Sequence, residues 1–351
     1  MQLFFSNRQL AHQPTQYMVH GRIVPAFENN DRATTLLTAL AGAGLSPTEP
    51  AAHGLAPILK VHADHFVEFL STAHAEFMTL PNHGPEAIPN IWSYRASDAA
   101  FTPRGKARPT GIIGRMGWYV GDISAVITAD TYTSAVVSAE AAVSAAEAVR
   151  KGAKAAFALC RPPGHHAYVD RASGFCFLNN AAIAAEVLRK DFARVAILDF
   201  DTHHGDGTQA IFYSRRDVFF GSVHTDPSSY YPHYVGYADE RGAGPGEGFN
   251  LNLPLAFGAD DAAFLEANRA LIAAAEAAGA EALVLSAGWD AHHLDPLSKL
   301  AVTTDAYARL GALYGACDLP TVIVQEGGYS LKAIAEASHA FTAAYRAARG
   351  V

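Results

Sequence analysis

Residues 195–207 read VAILDFDTHHGDG. Val195 to Asp201 is an apolar run with two aspartates at its end, and it stops on His-His-Gly-Asp-Gly. Its length and β-branched content suit a strand buried on both faces, of the kind found in parallel sheets. The text on either side repeats the pattern. Ala155 to Cys160, Val218 to His224, Leu283 to Asp290 and Thr321 to Glu326 are further short apolar runs, and Phe249 to Leu255 is a weaker one. Between them lie helical stretches: Thr133 to Lys151, Asn179 to Lys190, Asp260 to Ala278, Thr304 to Cys317 and Leu331 to Ala348. Alternation of strand and helix predicts an α/β fold, a mostly parallel central sheet covered by helices on both faces. Before residue 130 the text is less regular. Helical patterns lie around Arg32 to Ala41 and His65 to Phe77, and a Pro/Asn/Gly-rich insertion runs from about 80 to 108. No linker divides the chain, so one domain over 1–351 is expected.

Composition narrows the function. Half of the 351 residues are hydrophobic, enough for a large core, and the net charge of −8 argues against a nucleic-acid surface. Three cysteines, Cys160, Cys176 and Cys317, form no CxxC, so neither a disulfide framework nor a thiolate zinc site is expected. No apolar run reaches the ~18 residues of a membrane span, and the start, MQLFFSNRQLAHQ, lacks the basic beginning of a signal peptide. A cytoplasmic protein with no membrane partner is the expectation.

In open parallel sheets ligands bind beyond the carboxyl ends of the strands. Those ends carry most of the chemistry here: RPPGHH (161–166), DFDTHHGDG (199–207), SVH (222–224), GWDAHH (288–293) and EGGY (326–329). Asp199 and Asp201 share a face of an extended chain, and His203 continues the spacing. Crowded carboxylates need a cation or histidines beside them. An Asp and a His two apart, plus a distant Asp, form an O/N ligand set with an open position, as in catalytic zinc sites; iron(II), manganese or cobalt also suit it. The alternative is an Asp-rich turn that only caps the helix at Thr208. His165 and His166 follow a Pro-Pro-Gly turn and can supply a general base and its partner, with Asp199 and Asp206 setting tautomer and basicity. Asp290 is either a ligand or a helix N-cap. Tyr329, on a flexible double-glycine turn, can donate to an oxyanion or plug the core. His292 and His293 read as rim or loop residues.

The strings CRPPGHHA, GFCFLNNAA, ILDFDTHHGDGTQ, SAGWDAHHLDPL and QEGGY resemble the zinc-dependent deacetylase family, which includes histone deacetylases and bacterial acetylpolyamine amidohydrolases. The resemblance spans essentially the whole chain and implies the arginase–deacetylase fold, with about eight strands. It implies one Zn2+ per chain on Asp201, His203 and Asp290, with Fe2+, Co2+ or Mn2+ as substitutes. His165, His166, Tyr329, Asp199 and Asp206 take the catalytic positions, His166 as general base and acid. A structural K+ falls on Asp199, Asp201, His203, Ser222 and Val223. Gly174, Phe175 and Tyr231 match the acyl-lysine tunnel, with Leu297 beside them, and Arg32 matches an arginine tied to acetate release. The implied substrate is a small N-acylated amine, acetylpolyamine-like, with an acetyl-lysine protein as the alternative. The polyamine branch has acidic residues near positions 113 and 124, which are Ile113 and Ser124 here. Asp122 can take their place as amine reader, as can Glu86 or Asp98, and Trp92, Tyr94, Trp118 and Tyr119 suit either a narrow or cation-lined mouth or an oligomer contact. A homodimer or homotetramer is expected. A two-manganese ureohydrolase would need a second carboxylate cluster, for which Asp295 alone is nearby. A non-catalytic binding protein would have lost a ligand, the base or the tyrosine.

Overall fold

The computed structural model describes residues 1–92 and 108–351. Its strands are β1 (Gln2–Phe4), β2 (Gln16–Val19), β3 (Arg22–Pro25), β4 (Pro47–Thr48), β5 (Ala155–Ala158), β6 (Val195–Asp199), β7 (Val218–Thr225), β8 (Asn250–Leu255), β9 (Ala282–Ala287) and β10 (Thr321–Gln325). Its α-helices are α1 (Asn30–Gly42), α2 (Asp64–Phe77), α3 (Ile112–Tyr119), α4 (Thr131–Arg150), α5 (Asn180–Leu188), α6 (Asp206–Phe212), α7 (Asp261–Ala277), α8 (Thr304–Ala316) and α9 (Leu331–Arg349).

Eight strands form one parallel sheet in the order β4-β1-β5-β10-β9-β6-β7-β8. The continuous apolar runs conceal a period of two. In β6, Val195 and Ile197 point into one core, and Ala196 and Leu198 into the other. Both faces of the inner strands are therefore buried, and in β5, β6, β9 and β10 polar residues come only at or next to the strand ends. One face is covered by α4 and α5, the other by α1, α7, α8 and α9. Alanine dominates the buried side of α4 (Ala139, Ala142 and Ala146 among others), which brings that helix close to the strands. Side-chain caps mark the starts of several helices: Asn179 accepts from Ala182 N, Asp260 from Ala263 N, and Ser330 from Ala333 N.

Chain order and spatial order part company between β5 and β6, which β10 and β9 separate. Such a switch point opens a crevice beyond the strand ends. The chemistry-bearing ends of β5, β6, β9 and β10 meet there. Several elements escape the sequence reading. β1 and β4 are two or three residues long, too short to carry a period. The hairpin β2–β3 turns at His20-Gly21, both with positive φ. Helix α3 lies in a stretch where the sequence pattern marks no element. The insertion expected at 80–108 falls mostly outside the described residues, as do Tyr94 and Asp98. Its described beginning pairs Ala87 with Ile127.

Helices α8 and α9 pack backbone against backbone at Gly311, where an added Cβ would lie 2.1 Å from Phe341 O. Helix propensity favours alanine over glycine by about 1 kcal/mol, but overpacking typically costs about 1–3 kcal/mol, and a carbonyl cannot rotate away. Gly311→Ala is expected to lower the urea midpoint. A midpoint equal to or above wild type would contradict this close approach.

Candidate active site

The ends of β6, β9 and β10 bring together the groups that the sequence scatters over 130 residues. Asp201 Oδ1 accepts from His203 N at 2.9 Å and lies 3.1 Å from His203 Nδ1. Asp290 Oδ1 accepts from Thr202 N at 2.9 Å. Its Oδ2 makes no hydrogen bond and sits 3.2 Å from His203 Nδ1. Both carboxylates are fully buried. The glycines of GWD and EGGY make room for them: a Cβ at Gly327 would meet Asp290 Oδ2 at 2.2 Å and Asp201 Oδ2 at 2.4 Å. Two buried carboxylates with one oxygen orphaned are costly unless a cation sits among them. Burial raises the Asp290 carboxyl to about 7, reinforced by Asp201. Burial disfavours the His203 imidazolium, but the carboxylates of Asp201 and Asp290 beside it prevail and lift it to about 9. A set of two O donors and one N donor with its ligand atoms within 4.8 Å fits a divalent metal.

His165, Cys176 and Glu326 form a second buried group of the same dimensions. It suits a metal poorly. Glu326 Oε2 already accepts from Gly164 N and His165 N, and burial pushes the Cys176 thiol well up. Asp295, the carboxylate that a two-metal reading would need, faces elsewhere. Its Oδ2 accepts from Tyr329 N at 2.6 Å and Ser330 N at 2.8 Å.

Each histidine of the GHH turn has its own carboxylate. His165 Nδ1 donates to Asp199 Oδ2 at 2.9 Å, and His166 Nδ1 donates to Asp206 Oδ1 at 2.6 Å. The rings lie 4.0 Å apart. Burial works against both imidazoliums. Around His165 the carboxylates of Asp199 and Asp201 more than offset it, and its pKa stands well above normal. His166 is held well below normal by burial, with the charge of His165 adding to the effect.

Tyr329 is not on a free turn. Asp295 grips its backbone, and the guanidinium of Arg32 lies 4.8 Å from its ring centroid. Arg32 is buried and donates to Gly328 O, to Glu326 O at 2.7 Å and to Glu28 Oε1 at 2.8 Å. It therefore lies directly behind the EGGY turn and the Tyr329 ring. Ser222 is buried in register with Asp199 on the neighbouring strand, with Val223 next to it.

Above these groups opens a cavity of about 490 Å³. His166, His203 and Tyr329 lie among its lining, with Gly174, Phe175, Tyr231 and Leu297. Phe175 has φ +66° and packs against Tyr17 and Tyr329. Tyr17 to His20, from the β2–β3 hairpin, complete one side. Sequence reading missed them, although apolar residues flanking His20-Gly21 are a hairpin signal. It also missed Tyr230, stacked on His203, and Lys299 at the mouth.

Other expectations need correction. Asp122 lines the cavity but presents no free oxygen. Oδ1 accepts from Ser124 N, Ser124 Oγ and Ala125 N, and Oδ2 from Ser173 Oγ, Gly174 N and Tyr231 OH. It holds the wall together rather than reaching into the space. Glu86 is buried against Thr15 N at 2.6 Å. His292 is in a loop but not on the rim: it is buried, stacks on Tyr307 and contacts Thr304 Oγ1. Tyr119 packs into the core against Phe69, and Trp92 donates to Val120 O.

A metal that binds only the folded state raises its stability. Stripping divalent ions with a chelator should lower the thermal midpoint, and Zn2+ should restore it in wild type but not in an Asp201→Ala/Asp290→Ala double variant. A midpoint indifferent to Zn2+ in wild type would contradict a metal among these carboxylates.

Residues 26–345 match the family model described as the histone deacetylase domain. The chain is 45% identical to an acetylpolyamine amidohydrolase of Burkholderia pseudomallei over the full length of both. It is 40% identical to the acetylpolyamine amidohydrolase of Mycoplana ramosa, covering 95% of this chain and 96% of that one. The crystal structure of the acetylpolyamine aminohydrolase from B. pseudomallei superposes with a TM-score of 0.93 at 44% identity, covering 99% of each chain. The HDA15 HD domain gives 0.78 at 29% identity, covering 99% of this chain and 89% of that one. The eight-stranded parallel sheet is thus that of the arginase–deacetylase fold. The chain belongs to the histone deacetylase domain family, and it is a hydrolase of amide bonds, a deacetylase.

Proposed function

We propose that the chain removes an acetyl or short acyl group from an N-acylated primary amine, with a small acetylpolyamine-like molecule as substrate, by a zinc-dependent mechanism. One observation carries the reading: three ligand-type residues, two His–Asp pairs and a tyrosine converge around one cavity. The names of the similar amidohydrolases from B. pseudomallei and M. ramosa support the substrate class.

Asp201, His203 and Asp290 would hold the metal. When bound, a divalent metal supplies Lewis acidity to a carbonyl and lowers the pKa of water toward ~7. The chain's own groups do the rest. With Nδ1 on Asp206, His166 offers Nε2 to the cavity, and its depressed pKa keeps that nitrogen able to accept a proton from water. The same nitrogen then returns the proton to the departing amine. His165 stays protonated beside it, between Asp199 and Asp201. The Tyr329 hydroxyl donates to the oxyanion of the tetrahedral species, and Asp295 and Arg32 hold its backbone and ring in place. A structural K+ at Asp199, Asp201, His203, Ser222 and Val223, acetate exit past Arg32, and a cytoplasmic location belong to the same reading. No helix among the described residues is long and apolar enough to cross a membrane. Assembly into a homodimer or homotetramer is also part of the reading, supported by the large apolar side chains of Ile23, Tyr234 and Phe257 left exposed.

Acetate release tests the substrate. N-acetylputrescine and N-acetylcadaverine should be preferred over an acetyl-lysine peptide at matched concentration; preference for the peptide would transfer the reading to protein deacetylation. Tyr329→Phe should lose roughly 10²–10³ in turnover at unchanged metal content, and a wild-type rate would remove Tyr329 from the mechanism. Because Asp122 supports the wall, Asp122→Asn should lose about 10–100-fold in kcat/KM, the scale of a misplaced site, equally on N-acetylputrescine and on uncharged N-butylacetamide. A loss confined to the cationic substrate would make Asp122 an amine reader after all.

A further inference from the structure

Tyr230 lies in the loop between β7 and β8, and its ring stacks on His203 at 5.0 Å between centroids and 15° between planes. Its hydroxyl has two partners. It donates to Leu297 O, and it lies 2.9 Å from His203 Nε2. A carbonyl oxygen only accepts, so the phenolic proton belongs to Leu297. The hydroxyl oxygen is then left to accept, and the proton it accepts is the one on His203 Nε2. With Nε2 keeping its proton, Nδ1 is the nitrogen that gives up its own proton and turns a lone pair to a metal. Nδ1 is the atom 3.1 Å from Asp201 Oδ1 and 3.2 Å from the orphaned Asp290 Oδ2.

The same contact reaches further. Leu297 N donates to Asp295 Oδ1 at 3.0 Å, and Asp295 Oδ2 grips Tyr329 N and Ser330 N. A short strap, Asp295-Pro296-Leu297, therefore runs from the far side of His203 to the backbone of Tyr329.

We propose that the Tyr230 hydroxyl is a positioning group for metal binding: it fixes the tautomer and tilt of His203 and ties that residue, through Leu297 and Asp295, to Tyr329. The proposal rests on the metal reading given above. Partners on the outer nitrogen of a ligating histidine hold it in place, and losing one typically costs about 10–100-fold in metal affinity.

Tyr230→Phe removes the hydroxyl and keeps the stacked ring. Phe257→Leu is the matching control, because Phe257 packs edge-on against Tyr230 and touches only its packing. Affinity for Zn2+ is read by competition with a chromophoric chelator, and the Co2+-loaded proteins are compared by visible absorption. The metal-free thermal midpoint verifies folding. Tyr230→Phe should weaken Zn2+ binding about 10–100-fold and alter the Co2+ spectrum, while Phe257→Leu keeps both. Zn2+ binding by Tyr230→Phe as tight as wild type would overturn the proposal. An equal loss in both variants would also overturn it, by assigning the effect to packing. Failure of wild type itself to bind Zn2+ or Co2+ would instead overturn the metal reading, and the proposal with it.

Discussion

Two carboxylates, Asp201 and Asp290, stand side by side without access to water, and most of the site can be understood as the answer to that constraint. Like charges in a low-dielectric interior are expensive, and removing water leaves only the protein or a cation to compensate them. The protein supplies part of the compensation through backbone: Gly327 N donates to Asp201 Oδ2 and Thr202 N to Asp290 Oδ1. His203 supplies another part. One oxygen is still left without a hydrogen bond. The remainder is a position shaped for a positive ion, and the cavity opens above it.

The parallel sheet makes this concentration of charge possible. Strands buried on both faces must stay apolar along their length, so polar groups collect where the strands end. All eight strands point the same way, and the ends of β5, β6, β9 and β10 therefore lie at one edge. The histidines arrive from β5, two aspartates and a histidine from β6, the third aspartate from β9 and the tyrosine from β10. Among the described residues, the helices add Asp206, the first residue of α6, and from beneath Arg32 of α1, which is buried against Glu28 and the carbonyls of the EGGY turn.

Around the reacting groups, support is divided between two walls. Asp122 gathers Ser173, Gly174 and Tyr231 on one side. Asp295 gathers Leu297, Tyr329 and Ser330 on the other. Each uses both carboxylate oxygens on the chain's own donors. Buried acids saturated in this way rigidify a site without meeting the substrate, since a charge-assisted hydrogen bond is stronger than a neutral one. Two tyrosines in sequence, Tyr230 and Tyr231, attach to opposite walls.

How much of this was legible in the sequence follows from the range of the interactions involved. Strand and helix depend on neighbours a few residues away, so VAILDFD and its counterparts announced a parallel sheet. The ends of those runs announced Asp201, His203, Asp290, the two histidines and Tyr329 as one set. Short elements carried no period: β1 and β4 exist because neighbouring strands pair with them. The direction of a side chain was equally out of reach. An aspartate near the expected amine site reads as an amine ligand until tertiary structure surrounds Asp122 with six donors, and His292 reads as rim until Tyr307 and Thr304 cover it. Local sequence determined which residues reach the sheet edge. Only the packing of distant segments decided which of them still had an unengaged atom facing the cavity, because hydrogen-bond satisfaction is a property of all the neighbours at once.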